Sequence, residues 1–222
     1  AAARVGTARK GTESDIFSAL STLDYNRLNK QQKLDFLRAY GLTISRFGGE
    51  FPYNYSPSQK QQLIAQLDPL FPAKSPEENL ELSALLGALG AKSLPKKGVQ
   101  LLNSAPSQEE QIAYAKNLRL AKDGWTPELR ESYFQWFVRA KTYKGGAAFG
   151  NFLDSIRKDA VAQLNPEQLA ALKPILEAKP ESTTPQFSFK ARSFVKNWTV
   201  DDLDDVINVG LEGNRDFANG RN

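Results

Sequence analysis

The sequence predicts an all-α protein, arranged as a HEAT/armadillo-like helical-repeat solenoid of antiparallel helix pairs. Three observations lead to this prediction. Helix-start signals recur along the chain, the apolar residues behind them fall at helical spacing, and no run shows the alternating β-branched pattern of a strand. The links between the predicted helices are short, which favours antiparallel neighbours. With 222 residues the chain is long enough to bury a continuous apolar seam.

The helix starts share one sequence motif. A capping side chain precedes a proline at the first helical position, and Glu or Gln follows. It occurs at Ser56-Pro57, Ser75-Pro76, Thr126-Pro127 and Asn165-Pro166, and Ser107 begins the same box without proline. Apolar stripes behind these caps, such as Leu129, Tyr133, Trp136 and Phe137, complete the pattern. The predicted helices are 13–23, 30–46, 57–71, 76–89, 95–103, 108–120, 127–142, 147–163 and 166–177.

The caps themselves recur in pairs. Those at Ser56 and Ser75 are followed 51 residues later by those at Ser107 and Thr126. A helix pair at a fixed offset is typical of a solenoid, and an intervening short helix accounts for an offset above the roughly 40 to 47 residues of HEAT and armadillo repeats. We therefore predict a repeat of this length.

The chain is predicted to divide into three parts. Residues 1–178 form the helical-repeat domain, and residues 179–190, rich in Pro, Ser and Thr, form a linker. Residues 191–222 form a short helical segment that leads toward a further domain, with Thr199 and Asp202 as a capping box.

Composition removes several classes of function. The chain has no His, Cys or Met, which excludes His-based nucleophile systems, His or Cys metal sites, disulfides and the usual haem ligands. Its net charge is +4, but 29 basic residues are interleaved with 25 acidic ones, so no nucleic-acid partner is expected. No apolar run approaches the roughly 20 residues of a membrane span.

Two groups of aromatic residues are candidates for partner binding. Phe51, Tyr53 and Tyr55 lie in one loop before a helix, and Trp125 follows Gly124 in another. Exposed aromatics grip partners or stack on sugars, whereas a loop folded back over the core buries them. Both interpretations stay open at this point.

Two other patterns have ordinary explanations. Asp201, Asp202, Asp204 and Asp205 offer oxygen ligands for calcium, but acids in the first turn of a helix are favoured by the helix dipole anyway. The segment 145–150 is rich in glycine but lacks the Lys-Ser/Thr of a phosphate loop, so a close-packed helix entry is preferred, with Lys141 and Lys144 able to hold an anion weakly.

Residues 60–222 contain a series of short motifs in a defined order. They are 67–72 (LDPLFP), 109–115 (EEQIAYA), 124–126 (GWT), 133–137 (YFQWF), the Gly145-Gly146 pair with 152–153 and 156–160, and 194–203 (FVKNWTVDDL). In this order they resemble the helical-repeat region of large membrane-bound dehydrogenase-like, haem-binding proteins of planctomycetes and verrucomicrobia.

The resemblance implies a non-catalytic scaffold or spacer within an extracytoplasmic, periplasmic redox protein. In that family a sugar-dehydrogenase-type propeller precedes the repeats, and a c-type cytochrome domain follows, which here would come after Asn222. The C-x-x-C-H haem motif is absent from these 222 residues, so no cofactor, metal or catalytic residue is assigned. The alternative is a stand-alone protein- or glycan-binding helical module. An enzyme using a carboxylate pair is a third class that no motif supports.

Overall fold

The computed structural model describes residues 13–47, 57–180, 197, 199–204 and 207. The chain divides into two compact units, Ala1–Glu181 and Ser182–Asn222. Across the described residues the regular structure is helical and contains no strand, which confirms the all-α prediction.

Helices α1 to α9 of the first unit lie close to their predicted positions. Their bounds are Glu13–Ser21 (α1), Lys30–Phe47 (α2), Pro57–Leu67 (α3), Pro76–Leu89 (α4), Leu94–Ser104 (α5), Gln108–Leu118 (α6), Pro127–Ala140 (α7), Phe149–Val161 (α8) and Pro166–Leu176 (α9). Short 3-10 turns at Tyr25–Arg27 and Asp68–Leu70 follow α1 and α3. The second turn is the part of predicted helix 57–71 that is not α-helical.

Local hydrogen bonding explains why four of these helices, α4, α6, α7 and α9, begin where they do. The side chains of Ser75, Ser107, Thr126 and Asn165 each accept a hydrogen bond from a backbone N–H of the first turn, as predicted. Asn165 and Gln168 form a complete capping box. Each cap satisfies a donor that the helix itself leaves unpaired. The predicted cap at Ser56 lies outside the described residues.

The helices of the first unit contact one another in two series. In the first series, α2 contacts α4, α4 contacts α6 and α6 contacts α8. In the second series, α5 contacts α7 and α7 contacts α9. Sequential contacts such as α4 with α5 and α5 with α6 join the two series. A continuous apolar core, which includes Leu37, Leu86 and Trp136, runs through these contacts.

The contacts do not follow the predicted 51-residue offset. That offset equates α4 with α7, but α4 lies in series with α6, whereas α7 lies in series with α5 and α9. Members of the first series from α4 onward begin at residues 76, 108 and 149. Similar caps recur because every helix start needs the same chemistry, so their spacing does not identify the pairing of helices.

In the second unit, the predicted capping box is present. The backbone N–H of Thr199 donates to Asp202 Oδ2 at 3.0 Å, and the N–H of Asp202 donates to Thr199 Oγ1 at 3.4 Å. Residues 200–204 are helical after this cap. Within the described segments, every helix is too short or too polar to cross a bilayer.

Candidate functional site

Trp125 is placed by the connection between α6 and α7. Gly124, just before it, has a φ of +83°, and a Cβ added there would lie 1.8 Å from the carbonyl oxygen of Lys92. Only glycine allows the backbone to pass so close to the α4–α5 connection. This contact holds Trp125 at the base of α7.

The first turn of α7 brings Arg130 onto the Trp125 ring. Thr126 is the cap, because its hydroxyl accepts a hydrogen bond from the N–H of Leu129 at 3.3 Å. Trp125 is therefore the residue before the cap and Arg130 is the fourth residue of the helix. Apolar side chains commonly pack together at these two positions. Here the guanidinium carbon of Arg130 lies 5.2 Å from the Trp125 ring centroid.

The Trp125 side chain is half-buried and its polar group is satisfied. The indole N–H donates to the carbonyl oxygen of Ala121 at 2.8 Å. The Tyr133 ring packs against the indole with centroids 5.3 Å apart and planes tilted by 39°. The hydrogen bond to Ala121 and the contact with Tyr133 thus hold the Trp125 ring in one position.

A groove, which we call the Trp125 groove, lies between α7 and α9. Its volume is about 490 Å³. Trp125, Pro127 and Arg130 line its α7 side, and Ala171, Pro174 and Ile175 line its α9 side. Most of these side chains are apolar, so Arg130 stands out as a cation inside the groove.

Arg130 has no partner for its charge in the described part of the chain. Its guanidinium joins none of the ion pairs or side-chain hydrogen bonds found there, and its contact with the Trp125 ring is its one recorded interaction. Burial lowers the pKa of this half-buried guanidinium. An arginine still keeps its proton at neutral pH, so Arg130 places in the groove a positive charge that no described carboxylate pairs with directly.

Two carboxylates lie at the rim of the groove. Glu131 and Glu167 are both exposed, and Glu131 Oε1 accepts a hydrogen bond from Gln135 Nε2 at 3.1 Å. Water screens these exposed charges far more than it screens the half-buried Arg130. The groove therefore has a cationic interior and an acidic rim.

The other predicted aromatic residues, Phe51, Tyr53 and Tyr55, lie outside the described residues. Their role in partner binding stays a prediction. The structure therefore brings Trp125 together with a groove and does not bear on the aromatic loop.

The glycine-rich segment is a helix entry, as preferred from the sequence. It leads into α8, and a Cβ on Gly145 would lie 2.3 Å from the Phe149 ring. The missing side chain therefore lets the Phe149 ring pack against the entering backbone. Lys141 Nζ donates to the carbonyl oxygen of Ala178 at 3.4 Å. Weak anion binding by Lys141 and Lys144 remains a prediction.

The predicted aspartate cluster falls in the second unit. Asp201, Asp202 and Asp204 lie in the helical stretch 200–204, and Asp205 lies outside the described residues. Asp202 is engaged in the cap with Thr199. Among the residues that the structure describes, no group of three or more acidic side chains is placed to hold a metal ion.

Sequence reasoning selected Trp125 but missed Arg130. The sequence does contain the information needed to predict the contact. Pro127 marks the first helical position, and the residue before the cap, Trp125, commonly packs against the fourth helical residue, Arg130. The opposite wall carries no comparable signal, since α9 begins some 40 residues later and meets α7 only through tertiary packing.

We also compared the chain with protein-family models, with curated proteins and with solved structures. None of the three comparisons finds a match. The evidence on function therefore comes from the residues and their geometry.

Proposed function

We propose that this chain is a non-catalytic scaffold or spacer, built as a HEAT/armadillo-like helical-repeat solenoid, within a larger extracytoplasmic redox protein. The proposal places a dehydrogenase-type domain before it and a c-type cytochrome domain after Asn222. No catalytic or cofactor-binding residue of the chain itself is part of the proposal. A helical solenoid suits this role because it holds its ends apart and offers a long surface to partners.

The observation that carries the scaffold proposal is the pair of helix series, in which each helix contacts the next-but-one helix along the chain. Stacking of this kind is expected when successive helical hairpins lie side by side, because each hairpin buries its apolar face against its neighbour. A four-helix bundle has a different pattern of contacts, because its sequential helices pack around one axis.

Polar contacts link each pair of neighbours in the first series. Arg38 Nε of α2 lies 2.9 Å from Glu81 Oε1 of α4. Asn117 Nδ2 of α6 donates to Ser83 Oγ of α4 at 2.8 Å. Arg119, which caps the C-terminus of α6, has its Nε 3.0 Å from Asp159 Oδ2 of α8.

These links fix the order of the helices more than they add stability. Partly exposed ion pairs contribute little free energy, commonly below about 1 kcal/mol each. They do penalise a wrong neighbour, which would leave the charged or polar group unpaired. An ordered series supports a spacer better than a loosely packed bundle does.

The redox context is supported by the resemblance carried by the motifs in residues 60–222. The relevant experiment is peptide mapping of the intact natural gene product by mass spectrometry, upstream of Ala1 and downstream of Asn222. We expect a dehydrogenase-type domain upstream and a C-x-x-C-H haem motif shortly after Asn222. A natural stop at Asn222 would contradict the redox context and leave the scaffold without a domain to position.

A second candidate function is a stand-alone helical module that binds a protein or a glycan. The Trp125 groove favours the protein-binding form of this module, since it offers apolar side chains and the unpaired cation of Arg130 in one place. Both functions use a non-catalytic helical array, and the mapping experiment separates them.

A further inference from the structure

We propose that the Trp125 groove binds a peptide segment of a partner protein in which one acidic residue lies beside an apolar residue, with neutral or basic residues on either side. The partner's carboxylate pairs with Arg130, and the apolar side chain lies against Ile175 and Pro174. This inference concerns a binding site and does not depend on the redox context proposed above.

The first argument is the state of Arg130. A guanidinium has five N–H donors in a planar fork that fits a carboxylate, and here none of them is used by a described residue. Leaving a partly desolvated charge unpaired is costly unless a ligand pairs with it. The contact with the Trp125 ring, 5.2 Å from the guanidinium carbon, restricts the Arg130 side chain, so less side-chain entropy is lost when a carboxylate binds.

The second argument is the distribution of charge and apolar surface. Ala171, Pro174 and Ile175 form an apolar wall facing Trp125 and Arg130 across the groove. A carboxylate alone leaves this wall in contact with water, whereas an adjacent Leu or Phe covers it. The exposed carboxylates of Glu131 and Glu167 at the rim disfavour further acidic residues and favour neutral or basic ones. The groove is therefore complementary to a mixed peptide and not to a uniformly acidic one.

The same geometry disfavours a glycan. A sugar stacks on an open aromatic face, but the Trp125 ring already carries the Arg130 guanidinium and packs against Tyr133. The indole N–H is also used, by the Ala121 carbonyl. What the groove leaves available to a ligand is the charge of Arg130 and the apolar wall.

The test uses the full chain and two peptide libraries that differ at one position. Both carry Leu or Phe beside the central residue and Ser or Lys in the outer positions. The central residue is Glu in one library and Gln in the other. Binding is measured by fluorescence anisotropy of labelled peptides. We expect the best Glu peptides to bind about tenfold or more tightly than their Gln counterparts, because charge-assisted hydrogen bonds are worth that much.

Variants assign the preference to Arg130. Arg130→Gln should abolish the preference for Glu over Gln, and Arg130→Lys should keep only part of it, since an ammonium lacks the planar fork. Arg139→Gln is the matched control, because Arg139 lies on the same helix outside the groove and donates to Asn103 Oδ1. It should leave the preference intact. Glu167→Gln should leave binding of Glu peptides unchanged or make it tighter.

Three results would overturn the proposal. The first is equal binding of the Glu and Gln libraries, and the second is no binding of either. The third is a Glu preference that survives Arg130→Gln, which would place the carboxylate elsewhere. Selective binding of neutral oligosaccharides, with no peptide binding, would show a glycan site instead. None of these results bears on the domains proposed before Ala1 and after Asn222, so the redox context is tested separately.

Discussion

Two tryptophans on either side of one helix start have different surroundings. Trp136 lies inside α7 and is completely buried, and its indole N–H donates to Gln111 Oε1 at 2.9 Å. Trp125 precedes the same helix, is half-buried, and its indole N–H donates to the Ala121 carbonyl. Both indoles have a satisfied N–H, so hydrogen bonding of the ring does not distinguish them. The two tryptophans differ in whether the charged and polar groups around them have partners.

Around Trp136 the side-chain amide of Gln111 and the hydroxyl of Tyr143 have hydrogen-bond partners. Gln111 accepts hydrogen bonds from Trp136 and from the Tyr143 hydroxyl, and its own Nε2 donates to the Ala105 carbonyl at 2.7 Å. One amide thus ties α6 to α7 and to the segments that follow α5 and α7. Near Trp125 the guanidinium of Arg130, with its carbon 5.2 Å from the ring centroid, lacks a charge partner among the described residues. A satisfied network is typical of a structural role, and the unpaired charge in the groove is the basis of the binding proposed above.

The largest predicted effect is on stability at Trp136. Trp136→Ala removes a fully buried ring from the core and leaves Gln111 without one of its donors, so we expect a loss of about 3–5 kcal/mol in the free energy of unfolding. Trp125→Ala is the matched control and should cost clearly less, because part of that ring is already in water. Urea unfolding followed by circular dichroism measures both. Equal losses for the two variants would remove the distinction between core and groove tryptophans.

A smaller loss is expected at Gly124, which positions Trp125. Gly124→Ala should lower the free energy of unfolding by about 2 kcal/mol or more, because a left-handed φ strains any side chain and the Cβ would collide with the Lys92 carbonyl. Gly90→Ala is the control. It has a φ of +73° but nothing within 4 Å of the added Cβ, so it should cost only about 1 kcal/mol. The same unfolding measurement applies, and a larger loss at Gly90 would contradict the close approach of the two connections.

The smallest effect on stability is expected at Arg130. Arg130→Gln should change the free energy of unfolding by less than about 1 kcal/mol, because no ion pair or side-chain hydrogen bond to a described residue is lost and the loss of the contact with the Trp125 ring is offset by removal of a partly buried charge. Together with the loss of Glu-peptide preference, this result would separate binding from folding at one residue. A destabilisation comparable to that of Trp136→Ala would show instead that Arg130 has a structural role.

Local chemistry made much of the fold predictable. Ser75, Ser107, Thr126 and Asn165 cap helices as expected, because a cap is decided by a few neighbouring residues. The repeat offset was wrong, because it depends on which helices pack together, and the caps carry no information about that.

Part of the candidate site could likewise be predicted from local sequence, and part could not. Trp125 was a sensible choice from the sequence, and Arg130 was within reach of the rule for residues that flank a cap. The groove itself was not predictable, because its second wall comes from α9, and only tertiary packing brings Ala171 and Ile175 opposite Trp125.

The scaffold proposal requires that the first helix series, α2, α4, α6 and α8, forms a rigid stack, and the distance between α2 and α8 shows whether it does. The chain has no cysteine, so Ser45→Cys on α2 and Ser155→Cys on α8 give two unique sites for spin labels at exposed positions. We predict a single narrow distance distribution by pulsed electron–electron double resonance, far narrower than that of the same chain in denaturant. A broad or multiple distribution in a chain whose circular dichroism remains helical would contradict the rigid stack and, with it, the scaffold proposal.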